Sequence, residues 1–68
     1  MSSWESVFSS EQAYRVEIVK ALLGEHNINA VIVNKRDTAY HIGLLEVYVA
    51  SKDVLKATKI IRNDLHFE

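Results

Sequence analysis

The order of hydrophobic patterns along the chain constrains the fold more than any other feature. Residues 4–8 combine Trp, Val and Phe in the manner of a strand, and residues 11–26 repeat apolar side chains at helical spacing. Two short apolar runs follow, β-branched at residues 29–34 and alternating at residues 44–49, and a second amphipathic helix follows Ser51. The sequence therefore predicts the order β-α-β-β-α.

The small size of the chain limits how this order is stabilised. The sequence has 68 residues, 49% of them hydrophobic, and contains no cysteine. A chain of this size buries only about 60% of the surface exposed by its unfolded form, so a single core leaves it marginally stable. Disulfides and cysteine-based zinc sites are excluded. We expect one domain over residues 1–68, reinforced by regular packing or by another subunit.

The simplest packing places both helices on one face of an antiparallel-rich sheet. This is an α+β fold, a ferredoxin-like sandwich. A right-handed crossover is expected to make the first and third strands parallel neighbours, with the second strand outside the third. Residues 64–68 could supply a short fourth strand. Without it, the first strand is an unpaired edge that another subunit could cover.

The other face of the sheet is expected to stay open, because Leu45, Val47 and Val49 point one way and Glu46 and Tyr48 the other. Ile32 is placed on the open face with them. The pattern does not decide whether the first strand turns Trp4, Ser6 and Phe8 outward, or their alternates. Aromatic side chains there would form an apolar patch typical of an interface. The candidate interface residues are Trp4, Phe8, Ile32 and Tyr48.

Residues 35–43 are predicted to form a long hairpin connection, and they include the best candidate binding residues. The segment combines cations, an aromatic ring and an imidazole without an evident packing role. The candidates for a ligand or partner are Lys35, Arg36, Asp37, Tyr40 and His41. The alternative is a solvated hairpin with no binding role.

The residue types do not predict a catalytic, metal or cofactor site. His26, His41 and His66 lack partners at metal-ligand spacing, and Gly24 and Gly43 stand alone rather than in a phosphate-binding loop. The net charge of -1 argues against a nucleic-acid partner. No apolar run is long enough for a membrane span, and the first residues lack signal-peptide character, so a cytoplasmic location is expected.

Local signals predict where the helices begin and end. Ser9 lies three residues before Gln12, the spacing of a capping box, and Ser51 resembles the N-cap of the second helix. Asn27 is suited to the left-handed conformation that ends a helix, with Ile28 folding back on the last turn.

Several segments together resemble a known family. They are the aromatic strand at residues 4–8, KALL at 20–23, INA at 28–30, VIVN at 31–34, LEVYV at 45–49, and Ala57, Ile60 and Ile61 in the second helix. The chain resembles a family of small prokaryotic domains of unknown function described as putative signal-transducing proteins, over nearly its whole length. The resemblance implies a ferredoxin-like domain, often compared with the PII (GlnB-like) regulators, in the bacterial cytoplasm. It implies no activity, and no PII nucleotide-binding motif matches residues of this chain.

The leading hypothesis is a regulatory or interaction module without catalytic activity or cofactor. We expect a homo-oligomer, or a protein partner, bound through the open sheet face or an edge strand, and a small-molecule ligand is compatible with this role. One alternative is a small-molecule sensor for an amino acid or nucleotide, similar to ACT domains. Another is a small enzyme or enzyme subunit acting through Tyr40, His41 and Glu46.

Overall fold

The described part of the chain folds into three strands and two helices in the predicted order. A computed structural model describes residues 3–37 and 42–64, with the side chains of residues 36, 37 and 42 outside that description. The elements are β1 (Trp4–Ser10), α1 (Ala13–Glu25), β2 (Ala30–Asp37), β3 (Ile42–Ala50), a 3-10 turn (Ser51–Asp53) and α2 (Val54–Asp64). The architecture is consistent with the predicted α+β ferredoxin-like fold, so the fold-class prediction is confirmed.

The sheet has the strand order β1-β3-β2, and both pairings are antiparallel. The predicted order is confirmed, but the prediction that the first and third strands are parallel is wrong. The crossover through α1 makes β1 parallel to β2, and the hairpin then reverses the chain into β3. The central strand β3 is therefore antiparallel to both of its neighbours.

The core lies between the sheet and the two helices. On α1, Val16, Val19 and Leu23 recur at helical spacing and are fully buried. They pack with Val47 and Val49 of β3, and α2 adds its own small and branched side chains to the cluster. The described residues therefore form two layers, a sheet and the two helices packed against one of its faces.

The end of α1 follows the predicted geometry. Asn27 has φ 62°, in the left-handed region. Its N–H donates to the Gly24 carbonyl and the Ile28 N–H donates to the Leu23 carbonyl, both at 3.0 Å, which is the Schellman pattern. Ile28 is buried as a result. The prediction for Asn27 and Ile28 is confirmed.

The predicted caps at the helix starts are wrong. Ser9 lies within β1, and it is the Ser10 hydroxyl that accepts from the Gln12 N–H, at 3.1 Å. Ser51 is not the N-cap of α2, because it is the first residue of the 3-10 turn and α2 begins at Val54; its hydroxyl donates to the Ser3 carbonyl at 2.9 Å. The Ser51 N–H donates to the same carbonyl at 2.8 Å, which ties the start of β1 to the turn before α2.

Most of the predicted fourth strand, residues 64–68, lies outside the residues that the structure describes. Asp64 is the last residue of α2, so it does not belong to a strand, and residues 65–68 lie outside the described part of the chain. Among the described residues, no helix is long and apolar enough to cross a membrane.

Candidate functional site

The predicted binding loop is mostly strand. β2 continues to Asp37 and β3 begins at Ile42, so the hairpin connection is shorter than residues 35–43. The backbones of Arg36 and Asp37 pair with those of Gly43 and Ile42. The prediction of a long loop is therefore wrong. Lys35, Arg36 and Asp37 lie on a strand, and the other two candidates, Tyr40 and His41, lie outside the described residues.

The face of the sheet opposite the helices is the first candidate surface. Val47 and Val49 point into the core, so the alternate residues of β3 point away from the helices, and residues paired across the strands share a face. We call this surface the open face. It consists of Trp4, Ser6 and Ser9 from β1, Val31, Val33 and Lys35 from β2, and Leu44, Glu46, Tyr48 and Ala50 from β3.

Two of the four candidate interface residues lie on the opposite face. Ile32 pairs with the buried Val47 and packs against the core, so the prediction that it faces outward is wrong. A β-bulge between Ser6 and Phe8 inserts Val7 into β1 and turns Phe8 toward Val47. The bulge breaks the period-2 alternation of β1, which is why the sequence pattern could not fix its register.

Three of the six large apolar side chains that are exposed among the described residues lie on the open face, and the other three, Tyr14, Ile18 and Leu55, lie on the helices. Trp4 is 46% exposed, Val31 44% and Val33 37%. The half-buried Tyr48 lies on β3 between Ser6 and Val31 in the paired register. β-branched residues at outward positions of a strand are ordinary, but three exposed apolar side chains on one face that no other described residue covers form a patch.

An ion pair crosses the open face between β2 and β3. The Lys35 Nζ lies 3.2 Å from the Glu46 Oε1, and it also lies 5.5 Å from the centre of the Tyr48 ring. Ser6 donates a hydrogen bond to the Glu46 carboxylate from β1. Only 13% of the Glu46 side chain is exposed, against 55% of the Lys35 side chain. One polar network therefore joins all three strands.

The network keeps both charged groups ionised. The Ser6 hydroxyl and then Lys35 lower the pKa of Glu46 from its ordinary value. Hydrogen bonding to Tyr48 and then to Glu46 raises the pKa of Lys35. The sequence pattern placed Glu46 and Tyr48 on the same face of β3. It did not indicate their contact with Lys35, because Lys35 was predicted to lie in a loop. Cross-strand pairing in the hairpin, with Lys35 opposite Leu44 and diagonal to Glu46, would have indicated the contact.

A cavity of about 500 Å³ lies at one end of the open face, where β1 begins and β3 ends. Three separate segments form it: the start of β1, the connection between α1 and β2, and the end of β3 with the turn that follows. Its lining consists of Trp4, Asn27, Asn29, Ala50, Lys52 and Asp53. Except for Trp4, these residues were not candidates from the sequence. Only the fold brings the end of α1 and the turn after β3 to the same edge.

A second depression of about 360 Å³ lies between the helices, lined by Ile18, Ala21, Leu22, Glu25 and Asp64. At its edge, His26 Nε2 lies 3.7 Å from Asp64 Oδ2, and both side chains are largely exposed. Within residues 3–37 and 42–64, no group of three or more His, Cys, Asp or Glu side chains could hold a metal ion.

The comparisons with known proteins place the chain in a family. A family model described as "putative prokaryotic signal transducing protein" matches residues 4–63. The chain belongs to this family. The matched range begins with β1 and ends in the last turn of α2, so it includes the open face and the cavity at its end. The family description names signal transduction and no chemical reaction. No curated protein and no solved structure matches the chain significantly.

Proposed function

We propose that this family member is a regulatory interaction module without catalytic activity, and that its open face binds a second copy of the same chain. The observation that carries the proposal is the apolar patch of Trp4, Val31 and Val33, which lies beside the Lys35–Glu46 ion pair on a sheet whose other face is covered by the helices. The cytoplasmic, bacterial location and the likeness to PII regulators, both implied by the resemblance, belong to the same proposal.

The apolar side chains of the patch support an interface. Removing apolar surface from water contributes about 25 cal/mol per Å², and a 68-residue chain has few other sources of stability. In a single copy, Trp4, Val31 and Val33 keep 37–46% of their surface exposed to water, so this surface does not contribute to stability. A second layer over the sheet would complete the burial.

The charges of the face favour a second copy over a strongly charged partner. Lys35 and Glu46 neutralise each other within one chain, so two such faces can approach without a net repulsion. Two-fold symmetry is the commonest arrangement of soluble oligomers. The expected geometry is two sheets packed face to face, about 10 Å apart, with helices on both outer sides.

The size of the face predicts a weak dimer. Three strands spaced about 4.8 Å apart and about seven residues long form a face of roughly 14 Å by 23 Å. Two faces of this size together cover roughly 640 Å², below the roughly 1,200–2,000 Å² of total area buried in stable complexes, which is the range of weak and transient association. We therefore expect a dimer that forms and dissociates with concentration, a property suited to regulation.

The chemistry of the open face supports a role without catalysis. The Glu46 carboxylate is held in its charged form by Ser6 and Lys35, and its pKa is lowered, which disfavours proton donation near neutral pH. The enzyme hypothesis also needs Tyr40 and His41, which lie outside the described residues. It stays a prediction of the sequence.

Sedimentation equilibrium of paired variants tests the proposal. Val33→Glu places a new charge on the open face, and Leu55→Glu places the same charge on α2, where Leu55 is 79% exposed. We expect the apparent mass of the wild type and of Leu55→Glu to rise toward that of a dimer with concentration, while Val33→Glu stays monomeric. A wild type that remains monomeric up to millimolar concentration would contradict the proposal, as would a Val33→Glu variant that dimerises like the wild type.

A further inference from the structure

The cavity at the end of the open face indicates a function in addition to the proposed dimerisation. We propose that it is a binding site for a small zwitterion, a molecule that carries an ammonium and a carboxylate group, with free α-amino acids as the simplest class. The site would use Trp4, Asn27, Asn29, Lys52 and Asp53, which line the cavity.

The charges of the lining select a zwitterion. Lys52 and Asp53 are neighbours in the 3-10 turn and carry opposite charges. Neither forms an ion pair with another residue of the described chain. A ligand with only an anionic group would also meet the Asp53 carboxylate, and a purely cationic ligand would meet the Lys52 ammonium. A zwitterion can pair with both, through charge-assisted hydrogen bonds.

The remaining side chains suit the neutral parts of such a ligand. The amides of Asn27 and Asn29 each offer both a donor and an acceptor, which can bind the backbone-like groups of an amino acid. The Trp4 ring, 46% exposed, supplies an apolar surface for the ligand side chain. A volume of about 500 Å³ lies within the range of known small-molecule pockets.

Hydrogen bonds already hold the walls of the cavity together. The Ser3 carbonyl, next to Trp4, accepts from both the N–H and the hydroxyl of Ser51, next to Lys52. Asn27 is fixed by the Schellman turn at the end of α1. A site whose walls are positioned before binding loses less conformational entropy when a ligand is captured.

Fluorescence titration of the full chain tests the site, because Trp4 is the single tryptophan. The probes are the standard free L-amino acids, together with the N-acetylated and C-amidated form of each one that binds. We expect saturable changes in Trp4 emission with at least one free amino acid. Both capped forms should bind about tenfold more weakly or worse, because each lacks one charge.

Charge-removing variants locate the site. We expect Lys52→Gln and Asp53→Asn each to weaken binding of the amino acid by about tenfold or more. The matched control is Lys56→Gln, an exposed lysine of α2 outside the cavity, which should bind like the wild type. In a ¹⁵N NMR titration the shifted signals should include those of Asn27, Asn29 and Asp53.

Several results would overturn the proposal of an amino-acid site. They are the absence of saturable binding by any free amino acid, equal binding of the capped forms, or equal loss in Lys56→Gln and Lys52→Gln. Saturable binding of adenosine monophosphate without binding of amino acids would also overturn it. The titration is repeated with Val33→Glu. Binding by this variant separates the cavity from the dimer, since the proposed site does not use Val33.

Discussion

Leu23→Ala should remove much of the stability of the domain. Leu23 is 0% exposed and packs at the centre of the core, between α1 and β3. Leu→Ala changes at such positions cost about 3–5 kcal/mol, from lost burial and from the cavity left behind. A chain of 68 residues has a total stability of about 3–10 kcal/mol, at about 0.05–0.15 kcal/mol per residue. The variant should therefore be marginally folded or unfolded.

The matched control is the same substitution at an exposed helical site. Leu55→Ala lies on α2 and deletes the same atoms from a side chain that is 79% exposed, so the expected cost is below about 0.5 kcal/mol. Both are measured by urea unfolding, followed by circular dichroism. The protein concentration is held constant because dimerisation adds to the apparent stability. Equal losses in the two variants, or a loss below about 1 kcal/mol for Leu23→Ala, would refute the assignment of Leu23 to the core.

Two further predictions concern the end of α1 and the open face. Asn27→Ala should cost about 1 kcal/mol, because alanine is disfavoured at φ 62°, whereas Asn27→Gly should be at least as stable as the wild type; urea unfolding that ranks alanine above glycine would contradict this. The lowered pKa of Glu46 means that its stabilising effect is present above its ordinary value of 4.5 and is lost as the pH falls through the folded value. The free energy of unfolding of Glu46→Gln should therefore fall less steeply with decreasing pH than that of the wild type, measured by urea unfolding at a series of pH values. The control Glu17→Gln, on the exposed side of α1, should follow the wild type. An equal decrease in unfolding free energy with acid for Glu46→Gln and the wild type would contradict the role of Glu46.

Helical periodicity was the most informative part of the sequence. The spacing of Val16, Val19 and Leu23 predicted the buried side of α1, and a single asparagine predicted its end. Ile18 also belongs to the apolar repeat of residues 11–26, but its side chain is 44% exposed. The alternation of β3 predicted its inner and outer sides, because β3 is central and regular.

The predictions for the edge strands were less accurate. Lys35, Arg36 and Asp37 were assigned to a loop because polar residues are common both in loops and on edge strands. The β-bulge at Val7 has no signature in composition, and it reversed the side to which Phe8 points. A local sequence pattern does not show which residues of another strand pair with it. That pairing decides both the extent of β2 and the side to which Phe8 points.

The cavity could not be predicted from any single segment. Its residues come from the start of β1, the connection between α1 and β2, and the turn after β3. Each segment alone has an ordinary composition for a turn or strand end. Only the crossover connection and the hydrogen bonds between Ser3 and Ser51 bring them together.

The most direct test of the proposed interface is an isotope-filtered NOE measurement on a mixture of labelled and unlabelled chains at millimolar concentration. Our proposal predicts intermolecular NOEs from the methyl groups of Val31 and Val33 to the rings of Trp4 and Tyr48 in the other copy. Intermolecular NOEs confined to the helical side, for instance from Leu55, would contradict it. Their complete absence at a concentration where sedimentation detects a dimer would contradict it as well.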